Sequence, residues 1–194
     1  MQYDPRSAML APMNLEHPIV VALFGYLIGS LPLANLVARR AGAADLREVG
    51  DKNPGFWNAK THLGKASSTA VFIGDVLKGA IPVAVALAVG SEWWQSYLVG
   101  FAAMIGHAWP LFARFRGGKS VLTWVGAQTL LSPLSALVAI AALGFIWLIK
   151  RNFVNAVRIA VICFPFVQLM IEGPWRTAMS GVLMTLIGLR FAQR

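Results

Sequence analysis

Long apolar runs separated by short polar segments are the feature that most constrains the fold of this chain. The first run, residues 19–37, contains no charged side chain and is long enough for a helix to cross the hydrocarbon core of a bilayer. Only 13% of the 194 residues are charged, whereas a soluble domain carries about 25%. The pattern therefore predicts an all-α membrane protein that forms one compact bundle.

Seven transmembrane helices are predicted from these runs. Their limits are residues 19–37, 66–89, 97–112, 121–131, 134–149, 159–171 and 177–189. Several runs are shorter than the roughly 20 residues of a typical span, so we expect some helices to be tilted or kinked. The first 18 residues lack the basic segment of a signal peptide. We expect residues 1–18 to be an extracytoplasmic segment and residues 19–194 to be a single transmembrane domain.

The distribution of basic residues predicts the orientation of the helices. Fourteen of the 17 Lys and Arg residues fall in segments 39–65, 113–120 and 150–158 or near the C-terminus, while Arg6 and Arg176 fall on the opposite side. Cytoplasmic loops of membrane proteins are enriched in Lys and Arg. The N-terminus is therefore predicted to lie outside and the C-terminus in the cytoplasm. This topology accounts for the net charge of +9, so no nucleic-acid partner is expected.

Two glycine-rich basic turns on the predicted cytoplasmic face suggest that the protein binds a phosphate-bearing substrate. Gly117-Gly118-Lys119 combines adjacent glycines, whose N–H groups can turn toward an anion, with a mobile positive charge. The earlier turn, residues 50–55, follows Arg47, whose guanidinium can bind an oxyanion bidentately. Asn53 and Asn58 can orient hydroxyl groups or donate to a carbonyl oxygen. Alternatively, both turns are ordinary interfacial loops whose basic residues only mark the topology.

Three ionisable residues lie at membrane depth. Asp75 and Lys78 share one face of a predicted helix, and charges at this depth must be paired or line a cavity. They form either a neutral pair that fixes helix packing or a polar floor beneath a cleft. His107 is either a packing residue or a substrate contact. The sequence contains no pattern of metal ligands and no serine-hydrolase elbow, so no metal is expected.

The order of these residues resembles the PlsY-type family of acyl-phosphate:glycerol-3-phosphate acyltransferases. The matching stretches are Gly29-Ser30-Leu31-Pro32, Asp45-Leu46-Arg47-Glu48-Val49-Gly50, Asn53-Pro54-Gly55, Asn58-Ala59, Gly74-Asp75-Val76-Leu77-Lys78-Gly79, Gly106-His107-Ala108-Trp109-Pro110 and Phe112-Ala113-Arg114-Phe115-Arg116-Gly117-Gly118-Lys119. The resemblance covers about residues 23–126. It implies a PlsY-type bundle of seven spans in the bacterial inner membrane, with a cytoplasmic active face and without a cofactor.

The resemblance also implies a reaction and its residues. Such an enzyme moves a fatty acyl group from acyl phosphate to the 1-hydroxyl of glycerol 3-phosphate, giving lysophosphatidic acid for phospholipid synthesis. The partners are then these two substrates and membrane lipid. Three residues of the first loop would be catalytic, namely Arg47, Asn53 and Asn58. Substrate phosphate would bind to Arg47, Gly117, Gly118 and Lys119. The cleft would be supported by Ser30, Asp75, Lys78 and His107.

Several residues of the family pattern are replaced in this chain. The family has Gly-Ser-Gly-Asn where this sequence has Gly50-Asp51-Lys52-Asn53, and Gly-Ala-Thr-Asn where it has Gly55-Phe56-Trp57-Asn58. A serine pair expected near Asn155 has no match, and the closing His-Arg-x-Asn motif is interpreted as absent from residues 189–194. Three functions stay open. They are an active acyltransferase, which we favour, a non-catalytic member that binds acyl phosphate or lipid or regulates a partner, and a small transporter.

Overall fold

The computed structural model describes residues 17–193, in which the regular structure is helical throughout. Almost all of the predicted extracytoplasmic segment lies outside the described residues. The helices are α1 (Pro18–Gly29), α2 (Leu33–Arg40), α3 (Phe56–His62), α4 (Gly64–Ala88), α5 (Trp93–Ala108), α6 (Val121–Leu131), α7 (Pro133–Lys150), α8 (Phe153–Glu172) and α9 (Pro174–Ala192). One 3-10 turn, Leu111–Ala113, follows α5. The prediction of an all-helical chain is confirmed.

Five segments of the described chain are long and apolar enough to cross a membrane. They are Pro18–Arg40, Gly64–Ala88, Trp93–Ala113, Pro133–Lys150 and Asn155–Glu172. Helix α6 is apolar but has only 11 residues, and α9 corresponds to the last predicted span. Helices α7 and α8 expose many large apolar side chains, as helices facing lipid do. The count of seven spans and the orientation of the two termini stay predictions.

The first predicted span is interrupted in the structure. Helix α1 ends at Gly29 and α2 begins at Leu33. Pro32 has no N–H group with which to continue the helical pattern, and the Ser30 hydroxyl donates back to the carbonyl oxygen of Tyr26 at 2.7 Å. Because of this break, α2 packs on α3 and α4 and encloses Leu46 of the first loop in a small apolar cluster.

Glycines set the distance between α4 and α6. A Cβ atom added to Gly79 would lie 1.9 Å from the carbonyl oxygen of Thr123, and one added to Gly126 would lie 1.9 Å from the carbonyl oxygen of Val76. Neither position has room for a side chain. Membrane helices approach closely where small residues meet in this way, and the two backbones are therefore in direct contact.

Helices α1 and α5 also approach each other closely at glycines. A Cβ atom on Gly29 would lie 2.0 Å from the carbonyl oxygen of Ala103, and one on Gly106 would lie 2.2 Å from that of Tyr26.

The main apolar core fills the space between α4–α6 and the later helices. Its largest members are Tyr97, Met104, Trp124, Phe164, Leu183 and Leu186.

Buried polar side chains join the later helices to this core. Gln168 of α8 donates to the hydroxyl oxygen of Ser132 at 2.6 Å and to that of Tyr97 at 3.2 Å. Gln128 of α6 donates to the hydroxyl oxygen of Ser180 of α9 at 2.8 Å. A polar group without a partner is costly in a bilayer, so these bonds favour one arrangement of α6, α8 and α9.

We expect Gly79→Ala to destabilise the protein. The added methyl group would overlap the α6 backbone, which must move at a cost of about 1–3 kcal/mol. Thermal unfolding in detergent should show a midpoint lower by roughly 3–10 °C. Gly144→Ala in α7 is the matched control, because no atom lies within 4 Å of the new methyl group. Equal midpoints for the two variants would contradict the proposed backbone contact.

Candidate active site

A small cleft opens beside the break between α1 and α2. Distant parts of the chain supply its walls, which are lined by Gly29, Leu31, Pro32, Ala34, Asn35, Pro54, Lys78, His107, Pro110, Ala113, Arg116, Gly117 and Gly118. Four of the predicted site residues, Lys78, His107, Gly117 and Gly118, line the cleft directly. Three others adjoin it, because Asn53 precedes Pro54, Lys119 follows Gly118 and Arg47 bonds to Ala113.

The Gly117-Gly118 turn rests on His107. The N–H of Gly118 donates to the His107 carbonyl oxygen at 3.0 Å. A Cβ atom on Gly118 would lie 2.2 Å from the Nε2 atom of His107, and one on Gly117 would lie 2.0 Å from the His107 carbonyl oxygen. Both positions therefore require glycine. Because the Gly118 N–H is bound within the protein here, this residue shapes the turn, and its donation to phosphate stays a prediction.

Arg190 of α9 holds the same turn from another side, and the sequence did not indicate that it belongs to the site. Its Nε donates to the carbonyl oxygen of Gly118 at 3.1 Å, and its Nη2 donates to that of Gly117 at 3.3 Å. The guanidinium carbon lies 4.8 Å from the centre of the Trp109 ring, and only 6% of the residue is exposed. Its one sequence signal is a cation near the end of an apolar span.

The absence of the closing His-Arg-x-Asn motif from residues 189–194 stays an interpretation of the sequence. The structure adds that Arg190 of this segment is buried and bonded to the Gly117-Gly118 turn.

A buried ionic cluster lies beneath the turn. Lys78 Nζ is 3.3 Å from Asp75 Oδ1, and His107 Nδ1 is 3.6 Å from the same oxygen. The three side chains are buried, and Lys78 and His107 line the cleft. The pairing and burial fit the reading as a neutral pair, and the position of Lys78 in the cleft wall keeps the second reading open. Asp75 balances charge inside the bundle.

Arg47 connects the first loop to the second. Its Nε and Nη2 pair with the carboxylate of Asp45, and its Nη1 donates to the carbonyl oxygen of Ala113 at 3.1 Å. Asn35 of α2 donates to the same carboxylate at 2.9 Å. The hydrogen bond from Arg47 lowers the pKa of Asp45 below its ordinary value, although partial burial opposes this. Arg47 therefore positions the loops in this structure, and its binding of phosphate stays a prediction.

Asn58 holds the first loop from inside. Its Nδ2 donates to the carbonyl oxygens of Leu46 at 2.7 Å and Val49 at 2.9 Å, and the residue is 4% exposed. Both of its donor hydrogens are thus used within the loop, which gives Asn58 a positioning role. Ser30 is fully buried and bonded to Tyr26, and its support of the cleft stays a prediction.

Lys119 bridges the first loop and the last helix. Its Nζ lies 3.7 Å from Oδ2 of Asp51 and 4.4 Å from the centre of the Phe191 ring. The side chain is 18% exposed. Its ammonium group is thus beside the loop that carries Asn53, where a phosphate could bind to both turns.

Comparison with known proteins identifies the family of this chain. Residues 19–194 match the profile of the family described as glycerol-3-phosphate acyltransferase. The chain belongs to this family. A glycerol-3-phosphate acyltransferase of Rubrobacter xylanophilus is 36% identical over 170 residues, which cover 88% of this chain and 83% of the relative. One of Pseudomonas fluorescens is 40% identical over 141 residues, covering 73% and 75%.

Two solved structures share the fold. The crystal structure of PlsY, an integral membrane glycerol 3-phosphate acyltransferase, in its glycerol 3-phosphate form has a TM-score of 0.80 and 32% identity. The matched region covers 91% of this chain and 88% of the PlsY chain. The lysophosphatidic acid form of PlsY has a TM-score of 0.77 and 30% identity. The predicted family and the multi-pass membrane bundle are confirmed.

Arg190→Lys is expected to lower kcat/KM by about tenfold or more. Lysine keeps the charge but cannot hold both glycine carbonyl oxygens with one fixed fork, and a buried carbonyl left unpaired costs about 1–3 kcal/mol. Initial rates in detergent would measure the loss. Arg158→Lys on the exposed face of α8 is the control and should keep its rate. An unchanged kcat/KM in Arg190→Lys would show that the Gly117-Gly118 turn does not depend on the two hydrogen bonds from the Arg190 guanidinium.

Neutralising Asp45 is expected to loosen the first loop. Its pKa is lower in the folded than in the unfolded chain, so the pair with Arg47 stabilises the fold above the ordinary carboxyl pKa of about 3.9. That contribution is lost only as the pH falls through the lowered pKa. Between about pH 5 and 8, amide hydrogen exchange of residues 45–50 should therefore be faster in Asp45→Asn by a constant factor, after correction for intrinsic rates. Glu48→Gln, at an exposed position, is the control, and equal exchange in both variants would contradict this role.

Proposed function

We propose that this protein transfers a fatty acyl group from acyl phosphate to the 1-hydroxyl of glycerol 3-phosphate and releases lysophosphatidic acid into the membrane. Family membership and the likeness to PlsY support the acceptor and the product. Acyl phosphate as the donor is our proposal. The observation that carries the function is that the two glycine-rich loops and the buried ionic cluster surround one cleft.

The charges around the cleft suit two phosphate-bearing substrates. Lys78 and Arg116 line it, while Lys119 and Arg47 adjoin it. A cleft lined by cations raises the local concentration of an anionic substrate. We assign substrate phosphate to Lys119 first, because it directly follows Gly118 of the cleft lining and its present partner, Asp51, is half exposed. Arg47 would contribute once its bonds to Asp45 and Ala113 adjust.

The proposed reaction is a direct acyl transfer. The 1-hydroxyl oxygen of glycerol 3-phosphate attacks the acyl carbonyl carbon, the bond from that carbon to the phosphate oxygen breaks, and inorganic phosphate leaves. A substrate phosphate accepts the hydroxyl proton, so no protein base is required. The protein contributes proximity of the two substrates, and Lys119 holds the phosphate of glycerol 3-phosphate by a charge-assisted hydrogen bond.

The active face is proposed to be cytoplasmic, in the inner membrane of a bacterium. The cleft lies between segments 39–65 and 113–120, which hold nine of the 17 Lys and Arg residues. Such an enrichment is typical of the cytoplasmic side. A labelling experiment tests this topology. A cysteine introduced at Arg114 should react with an impermeant maleimide only in inverted vesicles, in a chain whose own Cys163 is replaced.

The function is tested with purified protein, labelled glycerol 3-phosphate and acyl phosphate. Wild type should form lysophosphatidic acid, and Lys119→Ala should lower kcat/KM by about ten- to a hundredfold, because a charge-assisted hydrogen bond to phosphate is lost. Lys65→Ala, at an exposed position at the start of α4, is the matched control. Acyl-CoA in place of acyl phosphate should give no product. Binding of acyl phosphate by wild type without turnover would overturn the proposal and favour a non-catalytic member.

A further inference from the structure

Asp51 places a carboxylate against the lysine to which we assign substrate phosphate. Its Oδ2 atom is 3.7 Å from Lys119 Nζ, and its side chain is 49% exposed. The protein thus carries a negative charge within reach of the cation to which we assign the phosphate.

The turn itself holds this carboxylate in place. The other carboxylate oxygen, Oδ1, accepts the backbone N–H of Asn53 at 3.2 Å. Lys52, between them, adopts a left-handed backbone conformation with φ of 56°. One oxygen thus closes the turn while the second meets the Lys119 ammonium group. The pair is a property of the folded loop rather than of two freely moving side chains.

We propose that Asp51 occupies Lys119 in the empty site, and that the phosphate of glycerol 3-phosphate must displace it in order to bind. Asp51 then weakens the affinity for this substrate and has no part in the chemical step. A phosphate carries up to two negative charges and three acceptor oxygens, so it competes well with a single carboxylate. This inference rests on the proposed assignment of phosphate to Lys119.

The expected effect of Asp51 on KM for glycerol 3-phosphate follows from the solvent exposure of the Asp51–Lys119 ion pair. An ion pair at the surface is weak, but the displaced carboxylate also stays close to the bound phosphate and repels it. Removal of the charge is therefore expected to lower KM for glycerol 3-phosphate by about three- to tenfold, with kcat within about twofold of wild type. The ratio of the two KM values should fall toward one at high salt, because salt screens exposed charges.

Asp51→Asn is the decisive variant, because an asparagine oxygen can still accept the Asn53 N–H while the charge is gone. Glu92→Gln, at the N-terminal cap of α5 and remote from the cleft, adds the same increment of net charge and should leave KM unchanged. A large loss of kcat in Asp51→Asn would instead identify Asp51 as a proton acceptor and overturn the inference. An unchanged or higher KM would overturn it as well.

A double-mutant cycle separates this inference from the proposed function. Affinity for glycerol 3-phosphate is measured by calorimetry on purified wild type, Asp51→Asn, Lys119→Met and the double variant. Asp51→Asn should tighten binding more in the wild-type background than beside Lys119→Met, where only the repulsion between the carboxylate and the phosphate is relieved. Equal tightening in both backgrounds would overturn the inference. These measurements need no turnover, so a wild-type protein that binds glycerol 3-phosphate but forms no product would refute the acyltransferase proposal without affecting this result.

Discussion

Close backbone contact between helices is the constraint on which the rest of this structure depends. Gly79 and Gly126 press α4 against α6, and Gly29 and Gly106 press α1 against α5. These contacts also place the second loop, because the loop joins α5 to α6. Ser120 adds a bond from its hydroxyl to the carbonyl oxygen of Met104 at 2.8 Å. Lys119 thus extends from a segment whose position the helix core decides, which is a requirement for holding a phosphate at a defined place.

The two loops around the cleft are held by different means. The second turn lies between His107 of α5 and Arg190 of α9, both of which belong to long helices. The first loop depends mostly on bonds among its own residues, from Asn58 to Leu46 and from Arg47 to Asp45. Contacts from one loop to the other include the bond from Arg47 to Ala113 and the pair of Asp51 with Lys119. The exposed part of the first loop, at Asp51 and Lys52, can therefore change in sequence without disturbing the helix core.

The sequence predicts those features that depend on local composition. Apolar runs indicate the helices, and basic turns indicate where an anion could bind, because both signals lie within a few neighbouring residues. The break at Ser30–Pro32 was missed, since a hydropathy average extends across one proline. The role of Arg190 could not be deduced at all. Its partners, Gly117 and Gly118, are more than 70 residues away, and only the packing of α9 brings them together.

The pattern of replacement in the site follows burial. Within the first loop, Asn58 is kept and buried, whereas Asp51, Lys52 and Trp57 differ from the family pattern and are exposed. In α9 Arg190 is buried, while Leu189 and Ala192 beside it are exposed. The identity of a buried polar residue is constrained by the groups to which it is bonded, since its loss leaves those groups unpaired inside the protein. The identity of an exposed residue beside the cleft is constrained only by its effect on substrate binding and turnover. The buried groups form the framework of the cleft, whereas the changed residues of the first loop are exposed, so the differences between this chain and other members are expected in affinity and rate rather than in fold.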